Sequence, residues 1–576
     1  MENNNFGPVA PDDNKQETIE SEAPVQPIET PEEPVTGPEP ITSPTPMAEP
    51  AKKNKSKAPL LAAIIIVLLV CGGVGAFFVL RNGSNGQKND TKKNEDIKTL
   101  SELRMKDNSL SDFDLAFLKK NNNGGNVVYS PLSIKYALEM LSEGANGDSK
   151  TEIDTLIGDY KAKAYLNSKN RSLANALFVQ SDRKGVILDS YISGLKSKYG
   201  ASVIYDDFTS AANVNKWISD QTLGIINNMI SDDDLAALDF ALINALAIDM
   251  NWNYRIQCAY DEEQPDKVES KWYSVSYKHE KYSDYVECID QNAGHDFAIA
   301  KFDGDKKVKA ATIGASINKY DIVKSLGEDK IRSTVKPKYE EWLKDMGTGH
   351  EGVEYDVDKF LDEFVTELKE NYGKVDDSTD FKMYTDDNVK MFAKNLKEYD
   401  GATLQYIGIM PKNQDLKDFV KEANAEKISN YIGKLYDIKK ENFKDGVVTK
   451  VTGTIPFFKY SYDMDLYKNL QSLGVKTVFS DKADLSKLTS DNNIKITEAK
   501  HKADIEFSND GIKAAAVTMM GGAGDAGGFE YKFEVPVETI DVSFNKPYMY
   551  LIRDVMTGEV WFAGTVYEPS TKLEYK

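Results

Sequence analysis

Residues 544–566 read FNKPYMYLIRDVMTGEVWFAGTV, and the stretch after the turn pair Thr557-Gly558 sets the class of the fold. There EVWFAGTVY (559–567) is dense in aromatic and β-branched residues, the composition of a packed strand. The same composition returns in ATLQYIGIM (402–410), GVVTKVTGTIPFF (446–458) and YKFEVPVETIDV (531–542), so strands dominate from about residue 400 onward. From about 96 to 250 the spacing is mostly helical. Ile134, Ala137, Leu138 and Leu141 make one apolar stripe, and Leu188, Tyr191, Leu195 and Tyr199 another. Helices early and strands late predict an α+β domain.

The chain has 576 residues and a formal net charge of −21. That charge argues against binding to nucleic acid, which needs clustered cations to displace counterions. Cys71, Cys258 and Cys288 lack C-x-x-C spacing, and His279, His295, His350 and His501 are scattered, so neither a metal site nor a cofactor is expected. Residues 1–57 read as a disordered Pro/Glu-rich cytoplasmic tail with too few apolar side chains to offset ordering entropy. A charge-free run opens at Leu60 and closes at Leu80, LLAAIIIVLLVCGGVGAFFVL. It is long enough to cross a hydrocarbon layer, so residues 58–80 are expected to be a transmembrane signal-anchor in the lipid bilayer. Within it Cys71 reads as a buried apolar cysteine. Lys52, Lys53, Lys55 and Lys57 crowd the N-terminal flank, which favours an N-terminus inside and the remainder outside. Residues 81–95 form a flexible linker, and residues 96–570 the folded domain. Within that domain about 300–392 is Lys/Asp/Glu-dense, with helical runs KPKYEEWLKDM (336–346) and VDKFLDEFVTELKENYG (357–373) and few strand signals, and is read as an insertion. Cys258 and Cys288 both fall on the outer side, where an oxidising compartment permits but does not establish a bridge.

Further segments carry a family resemblance. NVVYSPLSIKYALEMLSEGANGDSKTEIDTLIG (126–158), NALFVQ (175–180), VNKWISDQTLGII (214–226), LINALAIDMNW (242–252) and HKADIEFSNDGIKAAAV (501–517) stand in order ahead of the closing stretch. With Ser130, Pro131 and Ser133 in the first and Asn215, Trp217, Thr222 and Gly224 in the third, the chain resembles the serpins, of a bacterial membrane-anchored type. The resemblance implies a helix-rich N-terminal half, large mixed β-sheets and an exposed reactive-centre loop. It also implies a polar shutter of Ser130, Ser133, Asn244 and His501, and Trp252 at the breach beneath the top of the main sheet.

The loop residues support a mechanism of their own. Gly511, Ile512, Lys513, Ala514, Ala515, Ala516, Val517 and Thr518 make a small-residue hinge able to change from loop to strand, with Gly511 as pivot. As a strand, Ile512, Ala514, Ala516, Thr518 and Met520 face one side, all uncharged, while Lys513 stays on the other with Ala515 and Val517. Family spacing counted from Gly511 puts the attacked residue at Asp525 and the next at Ala526. The stretch to Asn545 is longer than in typical relatives, so Met520, Ala523 and Ala526 stand as alternatives. The literal G-x-G-x-x-G at 522–527 is followed by strand composition instead of a helix, so it reads as bait, not as a dinucleotide site.

The expected function is suicide-substrate inhibition of a peptidase, serine class first and cysteine class second, by a protein that is not an enzyme. Ile512, larger than the family's usual residue there, slows insertion and so shifts the outcome toward plain cleavage, and the many glycines lower strand propensity. A non-inhibitory serpin-fold surface binding protein is therefore the alternative. A hydrolase is the third reading, disfavoured because no G-x-S-x-G is present. A monomer at the surface of a bacterium with one membrane is the expected setting.

Overall fold

The computed structural model describes residue 100 and residues 103–569, except 164, 166, 237, 255–267, 272–273, 278–284, 292–294, 346–354, 376–379, 492–495, 498, 509–510, 513–528, 530 and 532. The expected tail, anchor and linker lie outside the described residues, and so does Cys258. Among the described residues no helix is long and apolar enough to cross a membrane.

Helix Asp112–Asn121 leads to β1 (Val127–Tyr129), then to helices Pro131–Gly144 and Gly147–Ile157. β2 (Arg171–Gln180), helix Asp189–Tyr199, β3 (Ser202–Asp206), helices Ala212–Gln221 and Asp232–Ala236, β4 (Phe240–Ile248) and β5 (Met250–Asn251) follow. Next come β6 (Val268–Lys271), β7 (Ser274–Tyr277), β8 (Tyr285–Gln291), β9 (His295–Phe302) and β10 (Lys306–Asn318). Three helices, Ile322–Leu326, Glu328–Asp345 and Val357–Asn371, separate these from β11 (Phe381–Thr385), β12 (Val389–Asn395) and β13 (Leu404–Pro411). After two short helices the chain makes β14 (Tyr436–Asp437), β15 (Val448–Pro456), β16 (Phe458–Asp465), helix Leu466–Leu473, β17 (Lys500–Phe507) and β18 (Gly511–Ile512). It closes with β19 (Val537–Asp541), β20 (Tyr548–Asp554) and β21 (Val560–Val566).

Among the described residues the strands form four sheets, ordered β1-β21-β20-β13-β12-β11-β14, β19-β15-β10-β9-β8-β7-β6, β16-β17-β18-β5 and β3-β2-β4. The first is buried on both faces, because successive side chains point to opposite sides. Ile407, Ile409, Met549 and Leu551 enter one apolar cluster. Tyr406, Tyr548, Tyr550 and Ile552 enter the other. The hairpin β20–β21 is antiparallel, as the turn at Thr557-Gly558 requires. Within it Gly564 must be glycine, since a Cβ there would lie 2.3 Å from the Val127 carbonyl oxygen and 2.4 Å from the Tyr550 hydroxyl.

The N-terminal helices are locked by charge in a dry place. Lys135 Nζ lies 2.6 Å from Asp114 Oδ1, and both side chains are fully buried. The other oxygen of Asp114 accepts from the backbone N–H and hydroxyl of Ser111 at 2.7 and 2.8 Å, a reciprocal cap on helix Asp112–Asn121. Pairing and hydrogen bonding together make such burial tolerable.

Two expectations need correction. The stretch 300–392, read as an insertion with few strand signals, carries strands of the main sheets at both of its ends. β10 lies inside it and pairs with both β9 and β15, and β11 and β12 belong to the first sheet. Charge density hid the alternation: Val308, Ala310, Phe381 and Met383 are buried between exposed or half-buried lysines. The helical insertion proper spans 322–371. Likewise YKFEVPVETIDV is a strand only over Val537–Asp541, paired in parallel with β15. Its aromatic half leaves the sheets and packs on the insertion helices.

Candidate functional site

The residues singled out at the shutter converge between β4 and β17. Ser130 caps helix Pro131–Gly144, its side chain accepting from the Ser133 N–H at 3.0 Å, with Pro131 at the first helical position where its missing donor is harmless. The Ser130 N–H, itself left without a helical partner, donates to His501 Nε2 at 2.9 Å. The Ser133 hydroxyl donates to Asn244 Oδ1, whose amide nitrogen donates to Asn175 Oδ1. Asn175 Nδ2 then donates to the Tyr199 carbonyl at 2.9 Å. Sequence reasoning misses Asn175 as a member of the cluster. Its signal is a lone amide in the apolar run of β2, directly opposite Asn244 in the register.

His501 is buried, and loss of solvation pulls its imidazole down to about 4. Since Nε2 accepts from a backbone amide, a proton there also opposes a hydrogen bond. The neutral form is favoured in the folded state, so folding stability is complete above pH 6.5 and falls as the pH drops toward about 4. The loss amounts to about 3 kcal/mol over that window. Comparing denaturant unfolding at pH 7 and pH 4.5 for the parent and His501→Gln tests this. The parent is expected to show the steeper loss, and equal slopes would remove His501 as its source.

Gly511 and Ile512, the start of the hinge, already sit in a sheet. Gly511 pairs with Asn251, and Ile512 with Met250 on one side and Phe507 on the other, both antiparallel. Above them Trp252 is buried, donates from Nε1 to the Ser508 carbonyl at 2.9 Å and packs edge-on against Phe507 at 5.4 Å. Lys513, Ala514, Ala515, Ala516, Val517, Thr518, Met520, Ala523, Asp525 and Ala526 lie outside the described residues.

Beyond Ile512, no pairing among the described residues joins β4 to β17. Two clefts occupy the space between them. One of about 530 Å³ lies between Leu246–Ile248 and the Lys502–Glu506 end of β17. The other, of about 170 Å³, is lined by Ser133, Asn244, His501 and the apolar side of helix Pro131–Gly144. The segment that follows helix Ala212–Gln221 borders both clefts, through Ile225 and Asn227 at one and Met229, Ile230 and Asp234 at the other.

Three of the four residues of the recognised pattern shape that strap. Asn215 exchanges hydrogen bonds with the backbone of Ile230 at 2.7 and 3.0 Å. Thr222 donates to the Ile218 carbonyl at 2.7 Å, and Gly224 takes a left-handed φ of 71°. Trp217 instead packs its helix edge-on against Phe178 of β2, at 5.5 Å. Lys500 pairs with Asp234, and Lys502 reaches the Asn228 carbonyl at 3.5 Å. The hydrogen bond from Lys500, with Ser231 helping, holds the Asp234 carboxyl down at about 2. The Ser130 hydroxyl serves as a helix cap, the Ser133 hydroxyl donates to Asn244 and His501 holds a backbone amide. The arrangement can hold a pair of strands apart and seat a third between them.

A family model described as Serpin (serine protease inhibitor) matches residues 112–273 and 360–569, more than half of the chain. The chain belongs to the serpin family. Members commonly inhibit serine proteases. Mouse (Mus musculus) neuroserpin is 21% identical over 475 residues, covering 79% of this chain and 88% of its own. Leukocyte elastase inhibitor of Xenopus tropicalis is 30% identical over 188 residues, 28% of this chain, and the chain spans about half of that relative's length, 49%. The native-state crystal structure of tengpin, a thermophilic serpin, shares the fold with a TM-score of 0.51 at 18% identity, covering 85% of this chain and 97% of that one. The unmatched residues 274–359 take in β7 to β10 and most of the insertion of this serpin.

Proposed function

We propose that this serpin is a suicide-substrate inhibitor of serine peptidases. The observation that carries the proposal is Gly511–Ile512 paired between β5 and β17 at the head of an open interval between β4 and β17. A strand begun there has a place to continue. In the reaction, the peptidase serine attacks the carbonyl carbon of Asp525, and the bond to the nitrogen of Ala526 breaks. The serine proton passes to that leaving amine, and an acyl ester joins the two proteins. Residues 513–525, about 40 Å of chain when extended, then enter the interval and carry the peptidase along before water reaches the ester. The strap held by Lys500 and Lys502 must yield as they do.

The sequence around residues 60–80 supports tethering in a membrane with the serpin domain outside, guarding a cell envelope from foreign peptidases. The acidic side chain of Asp525 suits a target with a basic specificity pocket, whereas cleavage after Met520, Ala523 or Ala526 suits enzymes with pockets for small or unbranched side chains.

Incubation of the full chain with a panel of serine and cysteine peptidases, read by denaturing gels and mass spectrometry, tests the proposal. A denaturation-resistant complex and a released C-terminal peptide starting at Ala526 are expected. Cleavage by every enzyme without a complex overturns inhibition and leaves a non-inhibitory binding protein on the same fold.

A further inference from the structure

The helical insertion has a small core of its own, Ile331, Val335, Leu361 and Val365. Its two feet are tied to the body and to each other. Lys319 Nζ, at the end of β10, lies 2.6 Å from Asp445, and the Tyr372 hydroxyl donates to the same carboxylate at 3.2 Å. The Gly373 N–H donates to the Asn318 carbonyl, closing the base.

One face of this rooted unit is aromatic. Tyr339 stacks on Phe360, with centroids 3.6 Å apart and planes at 11°. Phe529 is set edge-on to both, at 5.1 Å from Tyr339 and 5.5 Å from Phe360, with Trp342 at 5.9 Å. Phe533 follows, 4.9 Å from Tyr531 and 6.4 Å from Phe364. The sequence Phe529-Glu530-Tyr531-Lys532-Phe533-Glu534 alternates aromatic and charged residues. In extended chain that alternation gives one apolar edge, and the three aromatic side chains join the helices' apolar cluster. Phe529 stands four residues beyond Asp525.

We propose that the insertion is a clamp on the C-terminal stem of the reactive-centre loop, with Phe529, Tyr531 and Phe533 as positioning residues. The bait is then anchored at both ends, by Gly511–Ile512 in the sheet and by Phe529 on the helices. After scission the stem stays on the helices while the other new end leaves with the peptidase, which keeps the amine away from the acyl ester. This role rests on the inhibitory reading above, whereas the clamp itself can be tested without it.

The test uses a zinc metallopeptidase that cuts before large apolar residues and forms no acyl-enzyme, acting on the folded full chain, with cut sites read by mass spectrometry. In the parent, cuts are expected within residues 513–528 and not at Phe529 or Phe533. Tyr339→Ala is expected to speed cutting at those two positions at least tenfold, with cuts inside 513–528 unchanged and Tyr339→Phe restoring protection. Phe529→Ala, which leaves the helices intact, is expected to expose Phe533 similarly. Equal cutting at Phe533 in the parent and both alanine variants overturns the clamp. With a serine peptidase, Tyr339→Ala is expected to raise the number of inhibitor molecules consumed per enzyme trapped severalfold, and Tyr339→Phe to restore it. An unchanged number overturns the positioning role. A parent that traps no peptidase defeats the inhibitory reading instead, leaving the metallopeptidase result to decide the clamp.

Discussion

Cutting the chain within residues 513–528 is expected to raise its unfolding temperature. A nick in a loop ordinarily loosens a protein by enlarging the freedom of its ends. Here the nick frees a segment whose first two residues are already in register with Met250, Asn251 and Phe507, below which β4 and β17 stand apart. Continued insertion would add roughly ten ladder hydrogen bonds at about 1 kcal/mol each. It would also fill the clefts beside Leu246–Ile248 and His501 with small apolar side chains. Set against the cost of ordering the inserted residues, about 1–2 kcal/mol each, the expected result is a rise of several degrees or more, and its sign is what decides. Thermal unfolding of intact and nicked chain, with mass spectrometry to place the nick, decides it. A nicked form that melts at or below the intact one means that no strand enters, whatever the family.

The elements of this architecture that the chain spells out are those where side-chain type and period agree. EVWFAGTVY is a strand because its composition and its turn say so, whereas the pattern from Asn215 to Gly224 was readable only through the family resemblance and did not announce the strap. The cluster at Ser130, Ser133, Asn244 and His501 was legible only through resemblance, since Ser130 and His501 stand 371 positions apart with no local signal of contact. Where charge and period compete, the reading slips. Lysines alternating with apolar residues in β10, β11 and β12 masked these strands, although Lys394 of β12 is itself buried. The aromatic alternation at 529–533 has the period of a strand, yet its partner is a helix pair, and period alone does not name a partner. The strap's ties through Lys500 and Lys502 join segments far apart in the chain, and exposed lysines are too common for either to stand out in advance.

If this serpin inhibits as proposed, Ala516→Arg is expected to turn it into a substrate. Parity fixes the argument: counting by twos from Ile512, whose pairing with Met250 and Phe507 sets the register, Ala514, Ala516 and Thr518 share its face when the strand continues. An arginine at 516 must then pass into the interval between β4 and β17. Taking one charge out of water there costs several kcal/mol unless a partner waits. Insertion competes with hydrolysis of the acyl ester, so a barrier raised by that amount slows trapping by about three to four orders of magnitude. Cleavage itself, which precedes insertion, should proceed at the parent rate. Ala515→Arg, on the face of Lys513, is expected to change trapping only severalfold. Measuring complex yield and the rate of bait cleavage for both variants separates the possibilities. If Ala515→Arg abolishes trapping and Ala516→Arg does not, the inserted strand runs one residue out of the register set by Ile512. If neither does, the bait never enters the interval at all, and the open space between β4 and β17 serves some other end.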